Sequence, residues 1–420
     1  MNTIRVFEYE KLEVDEKTFT QAHFDSLVKF NEKNQNKYFT VGHKGVKFSK
    51  YVGVIQIGNL AIEILPKADR EIAPDEDLKS KWHSVLIEML KVCKLLNLES
   101  LTDASLKTSR VSILDIYLNL YLNECQKLLH QGLIKKYRHE TKNLTALKGS
   151  LQFAGQIKHN LVHSERFYTK HQTYDFNNLL NQIILKAIQV CGKISSNHEV
   201  IGKAKVLELY FPEISNKEIL SSDFNRIKFD RKTIRYEKAI GLAKLILLNY
   251  NPDLKHGDLD VLALLFDMNK LFEEYVFRSL KRGEEEGGYL VSRQSSTAFW
   301  ESKTVRPDIV LENEGQRYIL DTKWKILDEA IPSDDDLKQM YVYNLYFNSD
   351  RSILLYPDVW AIQSAYGTFR LSHLFDGDQE RKMHKCGVGF IKLVDINNAG
   401  GTYLTQNIPD QLNFILSNFN

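Results

Sequence analysis

Apolar and polar positions alternate along much of the first 70 residues, and a period of two is typical of β-strands. The alternation predicts strands at 3–9, 38–41, 44–48, 51–57 and 60–65, together with one short helix near 18–31. Gly58-Asn59 separates the last two strands and indicates a tight hairpin turn. We therefore predict a β-rich N-terminal domain over 1–75. The hydrophobic hairpin at 52–65 is either an ordinary small sheet or a finger that docks on a partner.

The period changes to that of a helix in the middle of the chain. Apolar residues recur three and four positions apart within 82–93, 113–124, 179–190 and 234–248. Asn251-Pro252-Asp253 and Gly257-Asp258 then interrupt the pattern. These features predict a helical middle domain over 76–257.

The last part of the chain, 258–420, mixes the two periods. We predict an amphipathic helix over 262–282 that ends at Gly283, and strands at 289–293, 305–311 and 317–325. A second helix is predicted from a cap at Asp334 to about 347, followed by a buried strand at 352–356 that Pro357 ends. The predicted fold class is therefore α+β multidomain, with a third domain ordered as helix, three strands, helix and strand.

Composition and charge narrow the function classes. The 420 residues carry 56 Lys and Arg against 54 Asp and Glu, a formal net charge of +2, which excludes a strongly basic nucleic-acid coat but not a local basic groove. The four cysteines are scattered and predict neither a disulfide framework nor a zinc ribbon. Without a long apolar run or a secretory leader, we expect a cytoplasmic protein with no membrane partner.

The candidate chemistry lies in two short segments, RPDIV at 306–310 and ILDTKWK at 319–325. Asp321 and Lys323 are two positions apart on a predicted strand, so their side chains leave the same face. Asp308 begins the neighbouring strand, and we expect it to approach Asp321 across the hairpin. Two carboxylates beside a lysine are suited to metal-assisted hydrolysis of a phosphodiester. We predict Mg²⁺ as the ion, with Mn²⁺ as an alternative because it accepts the same oxygen ligands.

This pattern resembles the PD-(D/E)xK nuclease superfamily, and the element order resembles a restriction-endonuclease-like α/β core. The resemblance implies that Asp308, Asp321 and Lys323 are catalytic, and that the main-chain carbonyl of Thr322 joins the carboxylates in holding the metal. It also implies an acidic metal ligand on the preceding helix, Glu273, although helical spacing leaves Glu274 open as the alternative. The segment QMYVY at 339–343 resembles the superfamily's Gln-x-x-x-Tyr element, which makes Gln339 and Tyr343 supporting residues.

A narrower resemblance extends over about 4–360 and is to the McrC family, the endonuclease subunits of McrBC restriction systems. It rests on DMNKLFEEYV at 267–276, YVGVIQIG at 51–58, IEILPK at 62–67, GLIKKY at 132–137 and LKGSL at 147–151. The resemblance implies a type IV restriction endodeoxyribonuclease that cuts double-stranded DNA carrying 5-methylcytosine. It implies docking through the N-terminal domain on a McrB-like hexameric AAA+ GTPase. The chain itself lacks the Gly-x-x-x-x-Gly-Lys-[Ser/Thr] loop, so we expect it to bind no nucleotide.

A cluster of cations in the middle domain is a candidate DNA-binding surface, and a solvated surface is an equally good explanation. Its members are Lys135, Lys136, Arg138, Lys142 and Lys148. Two rival functions stay open at this point. One is a non-catalytic adaptor that binds DNA or an AAA+ ring, and the other is a nuclease of a related defence complex that reads another mark.

Overall fold

The computed structural model describes residues 2–66, 76–96, 112–251, 259–293, 296–358, 362–370, 383–394, 403–405 and 407–417. It mixes helices with several sheets, so the predicted α+β class is confirmed. The predicted boundaries at 75 and 257 fall outside the described residues, and the division into three domains stays a prediction.

Nineteen strands occur in the described residues. They are β1 (Asn2–Phe7), β2 (Lys11–Glu13), β3 (Phe39–Gly42), β4 (Gly45–Phe48), β5 (Tyr51–Ile57), β6 (Leu60–Leu65), β7 (Lys136–Leu144), β8 (Ser150–Leu151), β9 (Phe167–Asp175), β10 (Tyr250–Asn251), β11 (Val261–Asp267), β12 (Tyr289–Ser292), β13 (Thr297–Trp300), β14 (Lys303–Val305), β15 (Ile309–Asn313), β16 (Gln316–Thr322), β17 (Arg351–Asp358), β18 (Ala365–Thr368) and β19 (Lys385–Lys392).

The same residues form twelve α-helices and one 3-10 turn. The helices are α1 (Gln21–Lys33), α2 (Glu76–Val92), α3 (Ile113–His130), α4 (Phe153–Asn160), α5 (Leu179–Ile194), α6 (His198–Tyr210), α7 (Ser221–Asn225), α8 (Glu237–Leu248), α9 (Met268–Arg282), α10 (Glu284–Gly287), α11 (Asp334–Tyr346) and α12 (Ile408–Ser417), and the 3-10 turn is Ile234–Tyr236. None of these helices is both long and apolar enough to cross a membrane.

The chain forms two compact units. The first contains 56–59 and 114–264, and the second contains 2–55, 60–113 and 265–420. In the first unit α5 packs against α6 and α8. This unit also holds a three-stranded sheet in the order β7-β9-β8, which the prediction of a helical middle domain did not include. The cause is composition: β7 is a run of polar residues with none fully buried, and it therefore shows no apolar period of two.

The second unit contains a six-stranded sheet in the order β12-β15-β16-β17-β19-β18. β15 and β16 form an antiparallel hairpin, whereas β16, β17 and β19 run parallel to one another. Helix α11 contributes Met340 and Tyr343, together with its C-cap residue Phe347, to a core that includes Ile319 and Leu354 of the sheet. Helix α9 packs on β12 and β16 of the same sheet.

The predicted helix over 262–282 was wrong in its first part. Residues 261–267 form β11, and α9 begins only at Met268. A short buried apolar run cannot be assigned to helix or strand by periodicity alone. The local signal is Asp267, whose carboxylate accepts the amide of Asn269 at 3.1 Å and so caps the helix. The predicted end of this helix at Gly283 is confirmed.

Two smaller boundaries also differ from the sequence-based expectation. Ser333, not Asp334, caps α11, because its hydroxyl oxygen accepts the amide of Asp336 at 3.2 Å. Strand β17 continues through Pro357 to Asp358. The predicted strands 51–57 and 60–65 are confirmed, and all residues of β5 after Tyr51 and all residues of β6 are buried. That burial favours the sheet interpretation of this hairpin over an exposed finger.

Asp267 carries a testable role in starting α9. Its second carboxylate oxygen lies 2.9 Å from the ammonium of Lys50, so the side chain both caps the helix and forms an ion pair. We expect Asp267→Ala to lower the free energy of local opening of α9 by about 1 kcal/mol. Amide hydrogen exchange in the helix should then become about fivefold faster. Hydrogen exchange of a peptide covering α9 measures the effect. Asp267→Asn keeps a capping oxygen and should cost less, and equal protection in the Ala variant would contradict the assigned cap.

Candidate active site

The β15–β16 hairpin places two carboxylates at one end of the central sheet. Pro307 is buried, and Asp308 directly precedes β15. The antiparallel register pairs Ile309 with Leu320, so Asp308 lies at the same end of the pair as Asp321. Since proline lacks an N–H group, its position just before the strand leaves no ladder hydrogen bond unmade. The predicted convergence of the two carboxylates is thus a consequence of register.

Asp308 is fixed to the neighbouring strand by two hydrogen bonds. Its Oδ2 accepts the backbone amide of Thr322 at 2.8 Å and the hydroxyl of Thr322 at 2.8 Å. Charge-assisted hydrogen bonds of this kind are stronger than neutral ones. They hold the carboxylate in place at the end of β16.

Asp321 is the most buried acid of the site, with 3% of its surface exposed. Lys323 Nζ lies 2.9 Å from Asp321 Oδ2 as an ion pair, yet within the described part of the chain this oxygen receives no hydrogen bond of acceptable angle. Burial and the neighbouring charge of Asp308 raise the pKa of Asp321 to about 7, against the opposing effect of Lys323. The site therefore holds a desolvated carboxylate whose negative charge is only partly compensated.

Lys323 follows β16 and lies among three acceptors. Its Nζ is 2.9 Å from Asp321 Oδ2, 3.2 Å from Asp336 Oδ1 and 2.9 Å from Gln339 Oε1. Burial alone would lower the pKa of Lys323, but the two carboxylates outweigh it and the pKa is raised. The side chain is therefore a fixed cation at the end of the hairpin.

Gln339 and Tyr343 link this lysine back to the segment that carries Asp308. The amide nitrogen of Gln339 donates to Tyr343 Oη at 2.7 Å, and Tyr343 Oη donates to the carbonyl oxygen of Arg306 at 2.9 Å. Both residues are on α11, one helical turn apart. The structure thus brings the predicted supporting residues together with Lys323 in one hydrogen-bonded chain.

Glu273 lies half-buried on α9 and borders a cavity of about 340 Å³ together with Asp308. Burial and then the charge of Asp308 raise the pKa of Glu273. Glu274, the alternative ligand, forms ion pairs with Arg278 and Arg293. These arginines lower the pKa of Glu274 against the effect of burial, so its charge is already compensated. The geometry therefore favours Glu273 over Glu274 as the acid available beside Asp308.

The donor set fits a hard divalent cation held by few protein ligands. Within the described residues no group of three His, Cys, Asp or Glu is arranged to hold a metal on its own. Mg²⁺ takes one or two carboxylates and completes its shell with water and phosphate oxygens, so Asp308 and Asp321 meet its requirement. The buried Oδ2 of Asp321, which accepts no hydrogen bond there, is the observation that supports this fit.

Sequence reasoning missed Asp336, the second carboxylate on Lys323. Its Oδ2 accepts the hydroxyl of Ser333 at 2.7 Å. Burial raises the pKa of Asp336, but the hydrogen bond from Ser333 and the charge of Lys323 together lower it by more. The pKa of Asp336 is therefore below its ordinary value. The available signal was the spacing of Ser333 and Asp336, which resembles a capping box with aspartate in place of glutamate. That signal predicts a helix start but not a contact with the lysine.

The predicted DNA-binding residues belong to the other compact unit, on and around β7. Arg138 pairs with Asp175 of β9 at 2.9 Å, and Lys142 pairs with Glu140 at 2.8 Å. Lys135 lies 4.8 Å from the ring centre of Phe176. Lys136 and Lys148 are exposed. The acid supplied by the neighbouring strand makes this surface less positive than its sequence window suggests, and its DNA contact stays a prediction.

Comparison with known proteins places the chain in a family. The family model described as McrBC 5-methylcytosine restriction system component matches residues 46–357, more than half of the chain. The chain therefore belongs to the McrBC family. No curated protein matches it.

The similarity to a solved structure with a TM-score of 0.67 shows that the chain shares its fold. A chain of the refined half-complex from a tetradecameric assembly of Thermococcus gammatolerans McrB AAA+ hexamers with bound McrC has a TM-score of 0.67 and 20% identity. The alignment covers 99% of this chain and 100% of that one. A chain of the cryo-EM structure of the Thermococcus gammatolerans McrBC complex aligns with a TM-score of 0.49 and 20% identity, over 67% of this chain and 88% of that one.

The raised pKa of Asp321 predicts how stability depends on pH without metal. The folded protein retains a proton up to a pH of about 7, whereas an unfolded aspartate releases it near 3.8. This contribution is fully present below the unfolded pKa and is lost as pH rises through 7. We expect Asp321→Asn, which cannot ionise, to be more stable than the wild type at high pH by about 1–3 kcal/mol.

Calorimetry in the presence of a chelator, at about pH 4.5 and about pH 8, checks this expectation. The difference between variant and wild type should be small at the lower pH and large at the higher one. Asp335→Asn is the matched control, because the Asp335 side chain is 95% exposed. A wild type that is the more stable of the two at the higher pH would show that the carboxylate is well compensated.

Proposed function

We propose that this chain is the Mg²⁺-dependent DNA endonuclease subunit of a modification-dependent restriction system. The single observation that carries the proposal is the cluster of Asp308, Asp321 and Lys323 at the end of one hairpin, with the lysine 2.9 Å from Asp321 and the charge of Asp308 raising the pKa of Asp321. Paired carboxylates next to a fixed cation are the parts that metal-assisted phosphodiester hydrolysis needs.

The arrangement around this cluster supports a PD-(D/E)xK nuclease core in the C-terminal part. Helix α9 precedes the antiparallel strands β12, β15 and β16, and α11 then leads to β17, which pairs with β16 in parallel. The prediction was helix, three strands, helix and strand, and the structure adds α10, β13 and β14 within that order. Asp321 and Thr322 end β16, which pairs with β17, and Lys323 follows directly with its side chain 26% exposed.

The residues present divide the chemistry among them. Asp308 and Asp321, with the main-chain carbonyl of Thr322 and with Glu273, would hold Mg²⁺. When bound, the ion supplies Lewis-acid activation of the phosphodiester and of water. Lys323 orients the attacking water or stabilises negative charge that develops on the phosphate. Mn²⁺ is the alternative ion because it also prefers oxygen ligands.

Cations around the cavity beside Asp308 favour a phosphate-bearing substrate. Lys270, Arg293 and Arg306 line this cavity together with the acids. Arg306 and Lys270 are exposed, so they can contact phosphate oxygens without first breaking a buried interaction. Sequence reasoning did not select these three residues.

The partner we propose is a McrB-like AAA+ GTPase hexamer. Membership of the McrBC family supports this proposal, as does the similarity in fold to a chain from an assembly of McrB hexamers with bound McrC. In this scheme the partner reads 5-methylcytosine in double-stranded DNA and hydrolyses GTP, residues 1–75 dock on it, and the present chain cuts. The basic residues on and around β7 are proposed DNA contacts, and we propose a cytoplasmic location.

Substitution of the cluster tests the endonuclease assignment. We expect Asp308→Ala, Asp321→Ala and Lys323→Ala each to lower cleavage of methylated DNA by about 100-fold or more, because each removes a group that acts on the reacting phosphate. Cleavage is measured with the genomically neighbouring AAA+ protein, GTP and Mg²⁺. Stimulation of the partner's GTP hydrolysis should persist, since these residues lie outside the proposed docking domain. Full cutting by any variant would overturn the assignment, and wild-type protein that binds but never nicks DNA would favour the adaptor.

Thermal stability tests the metal site without relying on activity. A ligand at 100 times its dissociation constant stabilises a folded protein by about 2.7 kcal/mol, so saturating Mg²⁺ should raise the wild-type melting temperature. We expect Asp321→Asn to lose most of this increase and the exposed Asp335→Asn to retain it. The same increase in both variants would place the bound ion elsewhere.

A further inference from the structure

We propose that Asp336 is a positioning residue that holds the Lys323 ammonium group at the candidate active site. The proposal rests on the proposed function, since it gives Lys323 its place in that chemistry. In one respect it goes further: the family resemblance contributed Asp308, Asp321, Lys323, Gln339 and Tyr343, but Asp336 comes from the structure alone.

Three acceptors surround the ammonium group of Lys323. An ammonium group carries three N–H donors and no acceptor. Three acceptors lie within 3.2 Å of Lys323 Nζ: Asp321 Oδ2, Asp336 Oδ1 and Gln339 Oε1. Two of them are carboxylates, from opposite sides of the lysine in sequence. Asp336 is therefore the second anionic partner of the ammonium group.

Asp336 is itself held in place, so it can act as an anchor. Its Oδ2 accepts the Ser333 hydroxyl at 2.7 Å and lies 3.5 Å from Tyr356 Oη. Its backbone amide donates to Ser333 Oγ at 3.2 Å. The other oxygen, Oδ1, is the one that faces Lys323. One oxygen thus fixes the side chain to the first turn of α11, while the other holds the lysine.

A second carboxylate matters because Asp321 would interact with both the metal ion and the Lys323 ammonium group. A cation held by Asp308 and Asp321 would repel the nearby ammonium group and would draw on the negative charge that attracts it. Without Asp336, the polar partners of Lys323 named above would be Asp321, which it would share with the cation, and the neutral oxygen of Gln339. With Asp336 present, the lysine keeps an anionic partner and stays beside the reacting centre.

If Asp336 acted only through its negative charge at the start of α11, it would behave like its neighbours in that turn. Asp334, Asp335 and Asp336 all lie in the first turn of α11, where negative charge stabilises a helix. Asp335 shares that position, but its side chain is 95% exposed and it pairs with Lys338 at 3.4 Å. Asp335→Asn therefore removes the same helix-terminal charge without touching Lys323, and it is the matched control for Asp336→Asn.

The first experiment measures how readily the amine of Lys323 is chemically modified in the metal-free protein. Full-length wild type, Asp336→Asn and Asp335→Asn are treated briefly with acetic anhydride, and the modified fraction of Lys323 is measured by mass spectrometry against the exposed Lys148 as an internal reference. The side chain of Lys323 is 26% exposed, so the reagent can reach it. We expect severalfold more modification at Lys323 in Asp336→Asn only. Equal modification in all three proteins would overturn the proposal.

The second experiment measures cleavage of methylated DNA by the full chain with its AAA+ partner, GTP and Mg²⁺. We expect Asp336→Asn to lower kcat by about 10-fold with KM for DNA unchanged, because the lysine is displaced rather than removed. Asp336→Glu should recover part of the rate, and Asp335→Asn should match the wild type. An equal loss in Asp335→Asn, or a loss in Asp336→Asn that Asp336→Glu does not relieve at all, would assign Asp336 to helix stability and overturn the proposal.

The two experiments separate failure of this proposal from failure of the proposed function. If the wild type does not cut DNA while Asp336→Asn still exposes Lys323 to the reagent, the contact holds and the endonuclease assignment fails. If the wild type cuts DNA and Asp336→Asn changes neither the labelling nor kcat, the assignment stands and the positioning role is refuted.

Discussion

The structure of the site depends on the burial of Asp321 beside Asp308. A desolvated carboxylate next to another is unfavourable when ionised, and the raised pKa of Asp321 expresses that cost. The neighbouring contacts lower this cost or prevent the two acids from moving apart. Thr322 holds Asp308, and Lys323 lies against Asp321. Such an arrangement persists in a folded protein only if other contacts hold the two acids together, and a bound cation would relieve their repulsion.

Helix α11 supplies much of that determination because it serves the core and the site together. Met340 is buried against the sheet, and Tyr343 is buried in the same cluster while its hydroxyl donates to the carbonyl of Arg306. The other contacts of the helix with the site, through Asp336 and Gln339, therefore move with a packed core element. A displaced α11 would alter the lysine, the Gln339–Tyr343 link and the segment before Asp308 at once, so packing and chemistry are coupled here.

The N-terminal segment is also part of this scaffold. Glu8 accepts the indole N–H of Trp324 at 2.6 Å, one residue after Lys323, and the carbonyl of Lys50 accepts the amide of Met268 at 2.9 Å. Both ends of the candidate site, the residue after the lysine and the start of the helix that carries Glu273, are thus tied to 2–55. The N-terminal segment and the candidate site therefore belong to one hydrogen-bonded scaffold.

The sequence could predict those features of the site that depend on local interactions, but not those that depend on tertiary packing. Sequence reasoning could identify Asp308, Asp321 and Lys323, because strand alternation and one hairpin bring them together and both are local properties. β11 and the β7–β9 sheet were missed because a short apolar run and a polar strand lack a distinguishing period. Asp336 was out of reach for a different reason: its contact with Lys323 depends on how α11 packs on the sheet, which no spacing within the helix encodes. A residue that acts through tertiary packing is therefore where a structure adds most to a sequence motif, and Asp336 is such a residue here.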